Sequence, residues 1–558
     1  MRRALLVMAA LALLAAPLAM LAAPLGMLAE PFGMLAAPLA GQPVRSIRPE
    51  EVLVLGDLAD VRALAADARS LFVVAPSGVA VLDLRGARWH PPLPMLGGYP
   101  PNDPPVAATH DPVENGLWVA TRSGDLYLHH LNSGFWTRRG SVPEAVRGMA
   151  TDRAGDLWIR TDRGWLRLGR GPLQPVPGAD PPAAVRRAAA SLEERMAADP
   201  YLAADAGMLA LDAGARRWPL TAVASGDFGD ELWIGSAGAG VRRWSARGAE
   251  PWRAAGVPGT GTGAVAGGAR GPGGARGPGG AGGSSGAGLV WFGGDAAGGD
   301  GAGVAAATAD LEQWWRWNAE DGAPRGPVLA LVTTADAVWA GAADGLFRLA
   351  LDGAGRPAAD GRWIRLREGD GLPDLAVGAL ARAEDGVWVG TRRGLVRLDG
   401  AGRVVGGPYL QGGAVHALAA AGDTLWVASD QGLMALTAAQ GVFRPADHPP
   451  GVVTAVAASG DVLLTVMGGR LLERVFTGWR PPLAGAEAVG GVYVLRAGPE
   501  EIWAGGATGL LRRDPASGGW DPYPLPAGSG VGPVLDIVPA GGHLWLATPR
   551  GAVRVPVR

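Results

Sequence analysis

One pattern returns along most of this sequence: a short strand with an aromatic residue in second place, a turn with glycine, and a second strand. It stands complete at Gly386-Val-Trp-Val-Gly-Thr-Arg-Arg-Gly-Leu-Val-Arg-Leu-Asp-Gly400. The first strand recurs as LWVAT (117–121), LWIRT (157–161), LWIGS (232–236), VWFGG (290–294), VWAGA (338–342), LWVAS (425–429), IWAGG (502–506) and LWLAT (544–548), with degenerate copies at 71–75 and 462–466. Glycine after a four-residue connection suits a hairpin with one residue at positive φ. The segment YLAADAGMLALD (201–212) matches the length of 388–399 and reads as a twelfth copy, marked by Tyr201.

Each copy is flanked by two further segments. Before the aromatic marker lies a small apolar stretch such as VRAL (61–64), VHAL (415–418) or VYVL (492–495), and after it another aromatic such as Trp136, Trp252 or Trp520. Four strands in about 40 residues is the size of one β-propeller blade. The strands are apolar on both faces, which suits sheets sandwiched between sheets. The expectation is therefore an all-β chain, a β-propeller array of about twelve four-stranded blades. One ring of twelve would have a poorly filled axis, so two propellers are expected, split six plus six or five plus seven. Val52 to Leu55 is an unassigned strand, and the last copy leaves too few residues for a fourth strand, so the N-terminal and C-terminal strands should close one ring together. We place the first group of blades at 48–320 and the second at 321–558, with 269–288 as a glycine-rich loop thrown out of one blade. The alanine-rich stretch 183–198 has helical character where a leading strand should be.

Gly371-Leu-Pro373, Val377, Asp385-Gly386 and Val387 to Leu398 resemble the two-component regulator propeller repeat, in copies spread over about residues 50 to 558. The resemblance implies a sensor ectodomain, a type often built from two propellers and joined to a membrane helix and a histidine kinase or diguanylate cyclase. No such segment follows the repeats in this sequence. What is implied is a sensing half whose output would need a separate signalling protein.

Met1-Arg2-Arg3 followed by an uncharged run from Ala4 to Ala29 reads as an export signal, with residues 1–41 forming a cleaved leader or a signal anchor. Prolines at 17, 24, 31 and 38 interrupt it every seven residues. A periplasmic or extracellular location is expected, with membrane contact only through an uncleaved leader. The net charge of −2 and the absence of lysine argue against nucleic acid and exclude a P-loop. There is no cysteine for a disulfide or thiolate metal site. The seven histidines show no H-E-x-x-H spacing, and adjacent His129 and His130 should face opposite ways. Gly282 to Gly286 matches G-x-S-x-G only inside the glycine-rich loop, without the strand-to-helix setting that chemistry needs. No catalytic residue, metal or cofactor is expected.

The second residue of each leading strand varies most: Arg62, Arg147, Leu329, Gly378, His416, Thr454, Tyr493 and Leu535. Polar groups next to a propeller axis need a channel or a hydrogen-bonding partner. Arg62, Arg147, His416, Thr454 and Tyr493 are accordingly candidate ligand-binding residues, together with Asp536 one place beyond Leu535. Asp103, Asp370 and Asp374 should lie in loops around the same mouth. Within LEQWWRWN (311–318) one of Trp314, Trp315 and Trp317 is a candidate stacking surface. Arginines at 167, 243, 348, 397, 512 and 554 should stack on tryptophan or lie solvated at the surface. The expected function is an exported, non-catalytic, sensor-like protein binding a small molecule, glycan or protein. An exported propeller lyase or hydrolase acting on polysaccharide or peptide, and a surface scaffold, are the alternatives.

Overall fold

Strands rich in Val, Leu and Trp with no polar face need cover on both sides, and sheets packed face to face provide it. The computed structural model describes residues 47–94, 98–99, 103–169, 176–177, 180–225, 231–259, 261–267, 288–295, 303–358, 361–437, 443–482, 486–498, 501–527, 529 and 531–556. The leader 1–41 and most of the glycine-rich tract, together with its G-x-S-x-G match, lie outside them. The chain is nearly all-β. Among the described residues it forms eleven four-stranded sheets, each an antiparallel meander. The strand that leads each sheet is Ala63–Ala66 (β1), Pro105–Asp111 (β2), Val146–Thr151 (β3), Leu220–Ser225 (β4), Thr262–Gly267 (β5), Val328–Thr333 (β6), Val377–Ala383 (β7), Val415–Ala421 (β8), Ala455–Ser459 (β9), Val492–Ala497 (β10) and Asp536–Ala540 (β11). The β11 sheet takes its fourth strand from the other end of the chain: Leu53–Leu55 pairs with Gly551–Pro556 in the register Leu53↔Arg554, Val54↔Val553 and Leu55↔Ala552. The glycine-rich tract joins β5 to Leu289–Gly294, which pair directly, so it interrupts a single sheet.

Leading strands pack on one another. β5 lies against β6, and the contacts run on through β7, β8, β9 and β10 to β11, which itself lies against β5. Separately, β4 lies against β1, β1 against β2, and β2 against β3. At five of the markers the residue two places on is a glycine, which allows this approach. A Cβ on Gly293, Gly341, Gly390 or Gly505 would come within 2.4 to 2.7 Å of a Cγ1 on Val328, Val377, Val415 or Val534, a valine at or just before the start of the next leading strand. Gly235 stands in the same relation to Val61, at 2.6 Å, although the two are far apart in sequence. The repeated W-x-G is thus a notch for the neighbouring sheet.

The markers are buried between sheets: Trp291, Trp339 and Trp545 are inaccessible, and Phe72, Trp118, Trp158, Trp233 and Trp503 nearly so, while Trp388 and Trp426 are half-buried. Cross-strand partners Arg167, Arg348, Arg397, Arg512 and Arg554 hold their guanidinium carbons 5.5 to 5.8 Å from the indoles of Trp158, Trp339, Trp388, Trp503 and Trp545, as expected for cation–π contact.

The twelfth hairpin is absent. Residues 183–209 are helical instead: Ala183–Ala188 (α1), Leu192–Ala198 (α2) and Pro200–Leu209 (α3). The local chemistry favours this outcome. Asp199 caps α3 by accepting from the Tyr201 and Leu202 amides at 3.0 and 3.2 Å, Pro200 sits where its missing N–H costs nothing, and Ser191 with Glu194 forms a capping box on α2. Tyr201, read as a buried marker, is 74% exposed. The helices pack against two sheets. Val185 and Ala189 cover Trp158 and Ala150 of the β3 sheet, while Leu202 and Leu209 cover Leu232 and Ile234 of the β4 sheet. Where a glycine notch would otherwise follow Trp158 there is Arg160, whose guanidinium pairs with Glu194 on α2.

Candidate functional site

The second position of the leading strands is structurally special, because the pairing with the following strand skips a residue there. The register jumps across Gly263, Leu329, Gly378, His416 and Tyr493 on β5, β6, β7, β8 and β10, and across Val106, Arg147 and Thr221 on β2, β3 and β4. Such a bulge releases a side chain from the alternation of the sheet and re-aims it. On β1, β9 and β11 the equivalent residues Arg62, Thr454 and Leu535 stand just before the strand, with their amides donating to Val74, Val466 and Ala547 carbonyls at 2.8, 2.9 and 2.8 Å.

The candidates fall into two sets. His416, Thr454 and Tyr493 belong to consecutive leading strands β8, β9 and β10. Arg62 and Arg147 belong to β1 and β3, on the other run of sheets. Taken in contact order, β10, β11, β5 and β6 present Tyr493, Leu535, Gly263 and Leu329, and the three large side chains are 50, 40 and 43% exposed. Apolar side chains left open on strands otherwise buried to both sides form a surface that none of the described residues covers. Strands β8 and β9 present the polar part: His416 Nε2 lies 2.7 Å from Asp430 Oδ1, and Thr454 Oγ1 donates to the Val466 carbonyl at 3.2 Å. The His416 hydrogen bond holds the Asp430 carboxyl below the usual carboxylate range. A similar pair occurs in the other run, where Arg147 forks onto Asp162 at 2.7 and 3.0 Å. Arg62 binds Asp60 at 2.8 Å. Asp430 and Asp162 were not singled out in the sequence, yet both occupy the hairpin turn four residues beyond the marker.

Asp536 does not share this exposed setting. It is buried, with Oδ1 accepting from Arg496 Nε and the Ile537 amide, both at 2.8 Å, and Oδ2 from the Val265 amide at 3.1 Å. The carboxylate ties β10, β11 and β5 together from a buried position. The loop acids are also engaged: Asp103 accepts from the Ser123 amide, Asp370 from the Arg367 amide and Asp374 from the Ala376 amide. None of Trp314, Trp315 and Trp317 is exposed. Trp317 stacks on Trp291 at 5.5 Å and Trp314 on Phe292 at 6.0 Å, so this strand is packing material. His129 is buried against Trp136, 4.7 Å between ring centres, and His130 is only half-buried on the opposite face. Burial pulls the His129 imidazole down to about 4. Among the described residues no group of three or more His, Asp or Glu could hold a metal ion, and no helix is long and apolar enough to cross a membrane.

No family model and no curated protein matches the sequence. Similarity to solved structures is distant. The extracellular domain of BT4673 from B. thetaiotaomicron, described as a hybrid two-component system, aligns with 12% identity and a TM-score of 0.38 over 89% of this chain and 70% of that one. That of BT3049 from the same organism aligns with 14% identity and a TM-score of 0.37 over 88% and 66%. PorZ, a surface component of the type-IX secretion system of Porphyromonas gingivalis, aligns with 13% identity and a TM-score of 0.40 over 89% and 68%. Likeness this remote carries no argument about activity.

Proposed function

We propose that the chain is a non-catalytic binding protein made of two β-propellers. Sheets led by β5 to β11 form a ring of seven, shut by the pairing of the two ends of the chain. Sheets led by β1 to β4, with the α1–α3 segment in the remaining place, form a smaller ring of five positions. The division then falls between residues 257 and 262, ahead of the glycine-rich tract, instead of near residue 320. Packed round an axis, the leading strands keep only short edges turned inward and protected from other chains, which is how propellers limit edge-to-edge aggregation.

The ligand or partner is taken at the end of the seven-sheet axis that carries the bulges. One observation supports this reading above the others: Tyr493, Leu535 and Leu329 remain exposed on neighbouring strands, with the His416–Asp430 pair and Thr454 further round the same set. An apolar arc facing a hydrogen-bonding arc suits a molecule with one greasy and one polar face, such as a sugar ring stacked on tyrosine or an amphipathic peptide. In keeping with the leader and the two-component regulator resemblance, we read the chain as exported and sensor-like, passing its occupancy to a separate protein.

The test is a thermal-shift screen of the mature protein against glycans and peptides, with each hit measured by calorimetry on Tyr493→Ala and His416→Ala. Both substitutions should weaken binding by about tenfold or more, around 1.4 kcal/mol, with little change in melting temperature. Hits whose affinity neither substitution alters would remove the site from this mouth.

A further inference from the structure

Where α2 and α3 replace a sheet, they leave a cleft that a stack of sheets would fill. Its wall is formed by Met196 from α2, Ala206 from α3 and Ala210 just beyond it, and its floor by Trp218, Pro219 and Leu220, which lead into β4. The cavity measures about 400 Å³, within the range of small-molecule sites. Trp218 is held rigidly. Its Nε1 donates to Asp212 Oδ2 at 2.8 Å, its amide donates to the Ala210 carbonyl at 2.7 Å, and the Arg216 guanidinium lies 3.7 Å from its ring centre.

The remaining lining residue is Arg217, which is exposed. Several arginines of this fold are tied to a carboxylate, as Arg147 is to Asp162, Arg243 to Glu250 and Arg160 to Glu194. Among the described residues no carboxylate pairs with Arg217, and its guanidinium meets no acceptor. A strong fork-shaped donor is therefore left open on the border of an otherwise apolar cleft.

The geometry points to a second binding site here, separate from the ring mouth, for a small amphipathic carboxylate whose chain lies along Met196, Ala206 and Trp218 while its head group bridges to Arg217. An uncharged molecule would gain the apolar contacts alone, so selectivity for the anion comes from the one guanidinium.

Calorimetry of the full chain with octanoate, and with 1-octanol as the neutral counterpart, tests this directly. Octanoate should bind at least about tenfold more tightly than octanol. Arg217→Gln, at an exposed position that the fold tolerates, should erase that preference. Ala206→Leu, which fills the cleft, should weaken both ligands, and circular dichroism would confirm that it is folded. Tyr493→Ala should leave octanoate binding intact, which keeps the result independent of the mouth proposed above. The inference is overturned if octanoate fails to bind, if Arg217→Gln binds it as tightly as the unaltered chain, or if Tyr493→Ala abolishes the binding.

Discussion

Gly235→Ala is a one-carbon change that tests how the smaller set of sheets is put together. The added Cβ would lie 2.6 Å from Val61 Cγ1, 3.1 Å from Val61 Cβ and 3.4 Å from Ala222 Cβ. Carbon atoms prefer about 3.5–4 Å, so relief requires the β4 sheet and the entry to β1 to part by most of an ångström. Overpacking of this kind costs about 1–3 kcal/mol. Replacing glycine also removes freedom from the unfolded chain and returns about 0.4–1 kcal/mol, leaving a net loss of about 1–2 kcal/mol. Val61 is fully buried, and Val61→Ala alone should cost about 2 kcal/mol as a cavity. The two changes should not add. With Cγ1 gone, the alanine methyl at 235 occupies the vacated space, so the double variant should be about as stable as Val61→Ala. The assay is a double-mutant cycle on urea midpoints, read from the first transition because a chain of this size need not unfold in one step. Additivity within about 0.5 kcal/mol would mean that residues 235 and 61 do not touch, and the contact between β4 and β1 would fall with them.

Other consequences can be checked in the same way. Breaking the buried tie with Asp536→Asn should destabilise the fold by about 2–3 kcal/mol, moderated by the partial exposure of Arg496, while leaving affinity at the mouth unchanged; thermal denaturation and calorimetry separate the two effects. Trp339→Ala should cost about 3–5 kcal/mol, and the half-buried Trp388→Ala less, a ranking that denaturant midpoints would reverse if the markers were not packed as described. His129 is neutral in the fold down to about pH 4, whereas in the unfolded chain it takes up a proton near its ordinary value of 6.5. Stability is therefore unaffected above that value and falls as pH drops through the window between the two, by about 2 kcal/mol at pH 5. Replacing His129 by leucine should flatten that part of the pH profile, and an unchanged slope would refute the assignment.

How much of this was legible in the sequence depended on which residues face what. A tryptophan two places before a glycine can be read without a structure, because both are consequences of sheets pressing on sheets: the indole fills and the glycine yields. Which valine the glycine yields to cannot be read. Gly235 and Gly390 have the same surroundings in sequence, yet one meets a valine about one unit ahead and the other meets Val61, near the start of the repeats. For that reason the repeat period revealed the sheets but not their grouping. The copy at Tyr201 misled for a different reason. Glycine, leucine and aspartate at matching intervals satisfy a hairpin template, but Asp199-Pro200 is a stronger local signal, since it caps a helix at the point where the template needs an extended strand.

The candidate site shows the same division between pattern and partner. Position two of the leading strands varies among arginine, glycine, leucine, histidine, threonine and tyrosine because a bulge, or on β1, β9 and β11 a place just ahead of the strand, frees it from the alternation that binds its neighbours. Variation among the repeats of one chain therefore marked the exposed position. Residue type alone could not separate a free side chain from a committed one. Asp536 looked like a polar outlier of the same kind, but it stands one place further on, inside the paired strand, where a carboxylate can remain only if its oxygens are satisfied. Leu329 and Leu535, apolar at the same position, are open. A leucine at the second position is thus more open to a ligand than an aspartate one residue later, and exchanging the two chemistries offers a direct check. Leu535→Asp should alter ligand affinity with little loss of stability, whereas Asp536→Leu should unfold the β11 sheet while leaving the residues of the mouth unchanged in identity.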